Sequence, residues 1–216
     1  MFRLCLIALV LALASAKLAV NVGTSTVSRT TSDCFKKSNN ITKVVLELMN
    51  VRGTFNSQFL TNYINSLDSG LEMVDAIVRV NDSFVPDRVC NDIVRNLPPG
   101  FDGVVWFHIK YDKDYWTKSV DDRISFLVNL TTSCDQRGLE VGVYSDAAGW
   151  AATMGFQSAG NFKLRNLPVW YVNDNTHQNF NDFYYAGFGN FAKPSMKEYA
   201  YSNSFCGSYV DGLEYY

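Results

Sequence analysis

Short β-branched apolar runs alternate with helix-length amphipathic segments along most of this chain, and that alternation restricts it to a parallel sheet with helical crossovers. The strand candidates are Leu18–Val22, Lys43–Met49, Met73–Val80, Gly103–Lys110, Leu139–Ser145 and Leu167–Asn173. Between them, helices are expected over Thr30–Ser38, Ser57–Ser69, Pro86–Leu97, Val120–Gln136 and Ala147–Met154. In the second of these, Phe59, Leu60, Tyr63, Ile64 and Leu67 recur at helical spacing before Gly70 stops it. Pro86 opens the third, and Pro98-Pro99-Gly100 closes it. The aromatic tail adds weaker strand candidates at Phe183–Phe188 and Met196–Ala200. Eight strands in about 200 residues predict a TIM-like (β/α) barrel, short and irregular, with some helices reduced. An open doubly wound sheet is the alternative. Its usual phosphate turn is absent, since Asn21–Ser25 reads N-V-G-T-S with no G-x-G-x-x-G.

Residues 1–16 are set apart from that pattern. Arg3, the apolar run Leu4–Leu13 and Ala14-Ser15-Ala16 have the layout of a secretory signal peptide. The run is far below the ~20 residues that span a bilayer, and no later segment is long and apolar enough to cross one. The expected domain is therefore 17–216, secreted, extracellular or in the lumen of a secretory or digestive vesicle. It carries 18 basic against 21 acidic residues, a balance that argues against nucleic-acid or polybasic membrane partners. Cys34, Cys90, Cys134 and Cys206 remain, an even count that implies two disulfides with three connectivities open. With no C-x-x-C pair and only His108 and His177, neither a metal nor a cofactor is expected. Sequons begin at Asn40, Asn81 and Asn129 and suggest glycosylation in a eukaryotic secretory pathway.

The chain lacks a G-x-S-x-G elbow, a Walker loop and an H-E-x-x-H helix. Its most informative stretch is the strand Gly103–Lys110, G-V-V-W-F-H-I-K, which ends in two basic residues spaced i and i+2. Strand side chains alternate, so His108 and Lys110 share a face, with Trp106 deeper on the same side. In a β/α barrel the C-terminal strand ends form the mouth where active sites sit.

Several stretches in order along the mature chain resemble the family-25 glycoside hydrolases, the Chalaropsis-type lysozymes, and most closely their shortened branch in amoebae and nematodes. They are A-V-N-V-G-T at Ala19–Thr24, D-C-F-K-K-S at Asp33–Ser38 and L-E-V-G-V-Y-S at Leu139–Ser145. Further matches are P-V-W-Y-V-N at Pro168–Asn173, F-G-N-F-A-K-P-S-M-K-E-Y-A at Phe188–Ala200 and V-D-G-L-E at Val210–Glu214. The resemblance implies a barrel that cleaves the β-1,4 bond between N-acetylmuramic acid and N-acetylglucosamine in peptidoglycan. Such cleavage needs one group to protonate the leaving oxygen and a negative group to support the oxocarbenium-like transition state. The family supplies carboxylates from its first strand and a pair from its fourth. Here those positions hold Asn21, His108 and Lys110. Asparagine does not ionise, and a lysine beside a developing cation is repulsive.

The resemblance therefore argues for the fold and against the reaction. The expectation is a lysozyme-like pseudoenzyme that binds peptidoglycan, a related amino-sugar glycan or a protein partner in a host–microbe or defence setting. The alternative is an active muramidase with displaced acids, drawn from Asp112 and Asp114 past the fourth strand or from Glu47, Asp146 and Asp174 at other strand ends. Tyr144 and Trp170 match groove-lining aromatics of the family and join His108 and Lys110 as candidate ligand contacts. Trp106, Trp150 and Tyr171 are further aromatics that could stack on sugar faces or pack the core. Placed on such a barrel, Cys90 and Cys134 fall on neighbouring helices and Cys34 and Cys206 beside the closing strands, which favours Cys90–Cys134 and Cys34–Cys206.

Overall fold

The computed structural model describes residues 17–155 and 162–216, so the expected signal peptide lies outside the described residues. Eight strands close into one barrel: β1 (Lys17–Gly23), β2 (Ile41–Met49), β3 (Met73–Arg79), β4 (Val105–His108), β5 (Val141–Ser145), β6 (Val169–Val172), β7 (Met196–Phe205) and β8 (Ser208–Tyr215). Pairing is parallel from β1 through β7. β8 runs antiparallel to both β7 and β1 and completes the closure. The helices are α1 (Arg29–Asn39), α2 (Phe59–Asp68), α3 (Pro86–Asn96), α4 (Val120–Asp135), α5 (Ala147–Met154), and the single turns α6 (Phe162–Arg165) and α7 (Phe183–Ala186). The expected reduction of helices thus falls after β5, and closure excludes the open doubly wound sheet.

Caps fit the sequence signals. Ser28 and Ser119 accept the Thr31 and Asp122 amides at the starts of α1 and α4, and Asp146 accepts the Gly149 amide at the start of α5.

Strand alternation sorts the core into two layers. Val44, Leu46, Val105, Phe107, Val143 and Tyr171 face outward into the helices. Val45, Ile77, Trp106, Trp170, Met196 and Leu213 fill the barrel. Gly142 is required here, because a Cβ at that position would come within 2.5 Å of the Trp106 ring. Below Trp106 the interior is polar but paired. The Lys43 ammonium lies 2.9 Å from Asp75, which also accepts the Trp106 indole N–H and the Val104 amide.

The tail corrects one expectation. Phe183–Phe188 is not a strand: its first four residues form α7, and the eighth strand is Ser208–Tyr215. Phe180 and Phe183 are both buried on Tyr171 at spacing i, i+3, while Tyr184 and Tyr185 stand more than nine-tenths exposed. That is helical spacing, not strand alternation. β7 turns into β8 through Cys206 and Gly207, at φ +54° and +75°. Two successive positive-φ residues make the tight turn that joins antiparallel strands, so no crossover helix is needed.

Both disulfides join the expected partners. Cys34–Cys206 ties this hairpin tip to α1 with Cα atoms 5.9 Å apart, and Cys90–Cys134 ties α3 to α4 at 5.2 Å.

Candidate functional site

At the C-terminal mouth the strands present a ring of inward polar side chains: Asn21, Glu47, Arg79, His108, Tyr144, Glu198 and Asp211. Each lies on the same strand face as an interior core residue, displaced toward the mouth. The contacts run around the ring. Arg79 Nε donates to Glu47 Oε2 at 2.6 Å. His108 stacks on Tyr144 with centroids 4.2 Å apart, and Tyr144 stacks in turn on Trp170 at 3.8 Å. The Tyr144 hydroxyl donates to Glu198 Oε2 at 3.0 Å. Asn21 Nδ2 donates to Asp211 Oδ2 at 3.2 Å, and its Oδ1 accepts the Gly23 amide.

Electrostatically the ring has two halves. Around β3 and β4, burial together with the Arg79 and Lys110 charges pushes His108 down to about 3, so its imidazole is neutral near pH 7. Around β7 and β8, burial and the nearby Asp211 charge push Glu198 up to about 8, against the Tyr144 hydrogen bond, with smaller upward pushes from Asp174 and Asp146. Asp211 is also raised, by burial first, while the Ser202 amide and Asn21 oppose the shift. Glu198 is 1% exposed, and its Oε1 has no hydrogen-bond partner among the described residues.

Two cavities open here and share Arg79 and Val51. One, about 440 Å³, is lined by Asn21, Glu47, Asp211 and Tyr209. The other, about 220 Å³, is lined by His108, Lys110, Asp112 and Tyr115. A larger cavity of about 750 Å³ opens at the opposite, N-terminal end of the strands, beside Lys43, Phe180 and Tyr216. Its Lys43 is already paired with Asp75, and it reaches none of the ring residues, so the chemistry lies at the mouth. Among the described residues no group of His, Cys, Asp and Glu is arranged to hold a metal, and no helix is long and apolar enough to cross a membrane.

The structure thus brings Asn21 and His108 into the ring and puts Lys110 just past β4 at its exposed rim. Tyr144 stands over the ring's floor. Trp170 lies wholly covered beneath it, with Trp106 against its edge at 5.9 Å. Trp150 packs on Phe188 and Phe191 outside the barrel, and Tyr171 faces Phe183. Asp112 and Asp114 are exposed in the loop after β4, where Asp112 accepts the Asp114 amide; only Asp112 borders a mouth cavity. Asp174 is exposed beyond β6, and Asp146 is occupied in capping α5. Arg79, Glu198 and Asp211 escaped the sequence reading. Parity along M-K-E-Y-A, with Met196 inward, would have pointed Glu198 inward, and the same count from Ile77 finds Arg79. Asp211 lies on the strand that was not read as one.

Of the sequon asparagines, Asn40 and Asn129 are exposed. Asn81 is buried, its Nδ2 donating to the Val51 carbonyl at 2.6 Å and its Oδ1 accepting from Ser83.

Known proteins agree with this fold. The family model described as Lysozyme-like protein 1 matches residues 12–199. The "Probable GH family 25 lysozyme 5" of Dictyostelium discoideum is 24% identical over 212 residues, covering 94% of this chain and 92% of its own. The bacterial lysozyme of Streptomyces coelicolor superposes with a TM-score of 0.73 at 14% identity, over 94% of this chain and 93% of that one. The modular autolysin LytC of Streptococcus pneumoniae, solved in complex with a synthetic peptidoglycan ligand, superposes at 0.69 and 13% identity over 93% of this chain and 47% of that one. At these identities the structural likeness is one of fold. The family match spans most of the sequence, so the chain belongs to the Lysozyme-like protein 1 family and is related to the family-25 glycoside hydrolase lysozymes.

Proposed function

We propose that this chain is a secreted, glycan-binding lysozyme homologue that does not hydrolyse its ligand by the family's mechanism. The observation that carries this reading is the composition of the mouth. Asn21, His108 and Lys110 stand where the resemblance implies carboxylates, and burial, reinforced by the Arg79 and Lys110 charges, holds His108 neutral. Removing an acid or a charge stabiliser costs orders of magnitude in rate, and here all three positions are changed. The open mouth cavities, bordered by Tyr209 in one and by Tyr111 and Tyr115 in the other, offer polar and aromatic surface to a sugar. The LytC complex supports peptidoglycan or a related amino-sugar polymer as the class of ligand. The N-terminal leader pattern and the two disulfides support secretion. Purified protein is expected to leave suspended bacterial walls turbid and to be retained on insoluble peptidoglycan or chitin. Robust wall clearing would overturn the loss of hydrolysis, and absence from both solids would overturn glycan binding.

A second reading is favoured by one specific feature, the neighbouring acids Glu198 and Asp211. A carboxyl raised to about 8 is protonated at neutral pH, as a general acid must be. Glu198 is covered, however, and would need Tyr144 to swing aside. Under this reading wall clearing is present and is abolished by both Glu198→Gln and Asp211→Asn.

A further inference from the structure

The β3–β4 half of the mouth carries cationic donors that are only partly used. Lys110 forms no ion pair or side-chain hydrogen bond among the described residues, yet it lines the 220 Å³ cavity. Arg79 uses its Nε on Glu47, and its terminal amino groups have no partner among the described residues. His108 has no hydrogen bond to either ring nitrogen there, and its ring is held by the stack on Tyr144, so a neutral donor stands ready beside the two cations. Arg52 stands at the outer edge, its Nε donating to the hydroxyl of Tyr115, which lines the same cavity. Two acids lie close by. Glu47 is engaged by Arg79, and Asp112 is occupied on one oxygen by the Asp114 amide. Of the other acids near the ring, Asp211 borders the adjoining 440 Å³ cavity, which shares Arg79, whereas Asp146, Asp174, Glu198 and Asp211 all stand outside the lining of the 220 Å³ cavity.

From this arrangement we infer that the cavity bounded by Arg79, His108 and Lys110 is an anion-accepting subsite that selects acidic glycans, sugars carrying a carboxylate or sulfate, over neutral ones. The inference rests on the glycan-binding reading above and names the class of glycan. An arginine fork and a lysine point charge flanking a neutral imidazole donor suit the two or three oxygens of such a group. A neutral N-acetylglucosamine polymer would leave both cations solvated and gain nothing from them. The carboxylates of Asp146 and Asp174, past β5 and β6, would repel a second anion there, so the charged sugar is confined to the Lys110 end of the groove.

The test is calorimetric titration of the full chain with three tetrasaccharides of matched length: hyaluronan (carboxylate), chondroitin sulfate (carboxylate and sulfate) and chitotetraose (neutral). At least one anionic tetrasaccharide is expected to bind about tenfold more tightly than chitotetraose, the size of one charge-assisted hydrogen bond. That preference should shrink with added salt. Hyaluronan binding as well as chondroitin sulfate identifies carboxylate as sufficient; preference for chondroitin sulfate alone identifies sulfate. Lys110→Glu should erase the ratio of anionic to neutral affinity, and because Lys110 is exposed, an unchanged melting temperature confirms that the variant folds. Equal binding of chitotetraose by the native chain, or a ratio unchanged in Lys110→Glu, overturns the subsite while leaving glycan binding intact. Failure of all three sugars to bind also overturns the subsite, and retention on insoluble peptidoglycan then decides separately whether glycan binding stands.

Discussion

Replacing Glu198 with glutamine should change how the stability of this protein depends on pH. Glu198 is raised in the folded chain from 4.5 to about 8. Its stabilising contribution is therefore fully present below pH 4.5 and is lost as pH rises toward 8, because the unfolded chain ionises first. At ~1.4 kcal/mol per unit, a shift of this size corresponds to about 5 kcal/mol across the window. His108 works in the opposite sense. Its value falls from 6.5 to about 3, so its contribution is present above pH 6.5 and is lost as pH falls toward 3. Between pH 4.5 and 6.5 the two nearly cancel, and from 6.5 to 8 the native protein should lose about 2 kcal/mol. Glutamine keeps the shape of the protonated acid and can still accept the Tyr144 hydroxyl. The Glu198→Gln variant should therefore gain stability from pH 4.5 to 6.5 and stay level above it. Denaturant titrations of both proteins at half-unit steps, disulfides intact, measure the difference directly. Asp211, also raised, is common to both and drops out on subtraction. A native-minus-variant difference that stays constant from pH 4.5 to 8 would refute the assignment of Glu198 as a buried neutral acid.

Lys197 is wholly buried and donates to Asn175 Oδ1, the carbonyls of His177 and Asn179, and Asp182 Oδ2 at 2.8 to 3.0 Å. Lys197→Met takes the ammonium from the loop carbonyls and from Asp182, which keeps the Tyr171, Asn173 and Asn175 donors, so it should cost about 3 kcal/mol and expose residues 173–182 to limited proteolysis; a loss under about 1 kcal/mol, on the order of a surface pair, would contradict this account. Expressed through a eukaryotic secretory pathway, the chain should carry glycans at Asn40 and Asn129 and none at Asn81, read by site-resolved mass spectrometry. Occupancy at Asn81 would show that its buried amide is open during or after folding.

The parts of the fold legible in the sequence are those with a local signal. The β-branched run Lys43–Met49 is a strand because only a sheet buries both its faces, and the periodic segment Ser57–Ser69 is a helix because its apolar residues share one side. The parity that sets His108 and Trp106 on one face is local too, and it holds. Phe183–Phe188 was misread because aromatic residues favour strands in general, whereas here burial on Tyr171 at spacing i, i+3 selects a turn of helix. Asp211 and Gly212 weakened the strand signal of Ser208–Tyr215, although the hairpin at Cys206-Gly207 makes that segment the closing strand.

The sequence by itself pointed to a short, irregular β/α barrel with some helices reduced and two disulfides, and its resemblance implied Asn21, His108 and Lys110 where carboxylates are expected. Only the tertiary structure decided what occupies that mouth instead. Which residues share one level of a barrel depends on strand stagger and on how the last strand closes against the first. Closure brought Glu198 and Asp211, distant in sequence from Asn21, into the same ring, where Tyr144 binds Glu198 on one side and stacks on His108 on the other and Asp211 shares a cavity with Arg79. Burial then set their charges, holding Glu198 protonated and His108 neutral, because ionising either group inside the barrel would strip it of water with no opposite charge to compensate, and the Tyr144 hydroxyl on Glu198 is too little to offset that.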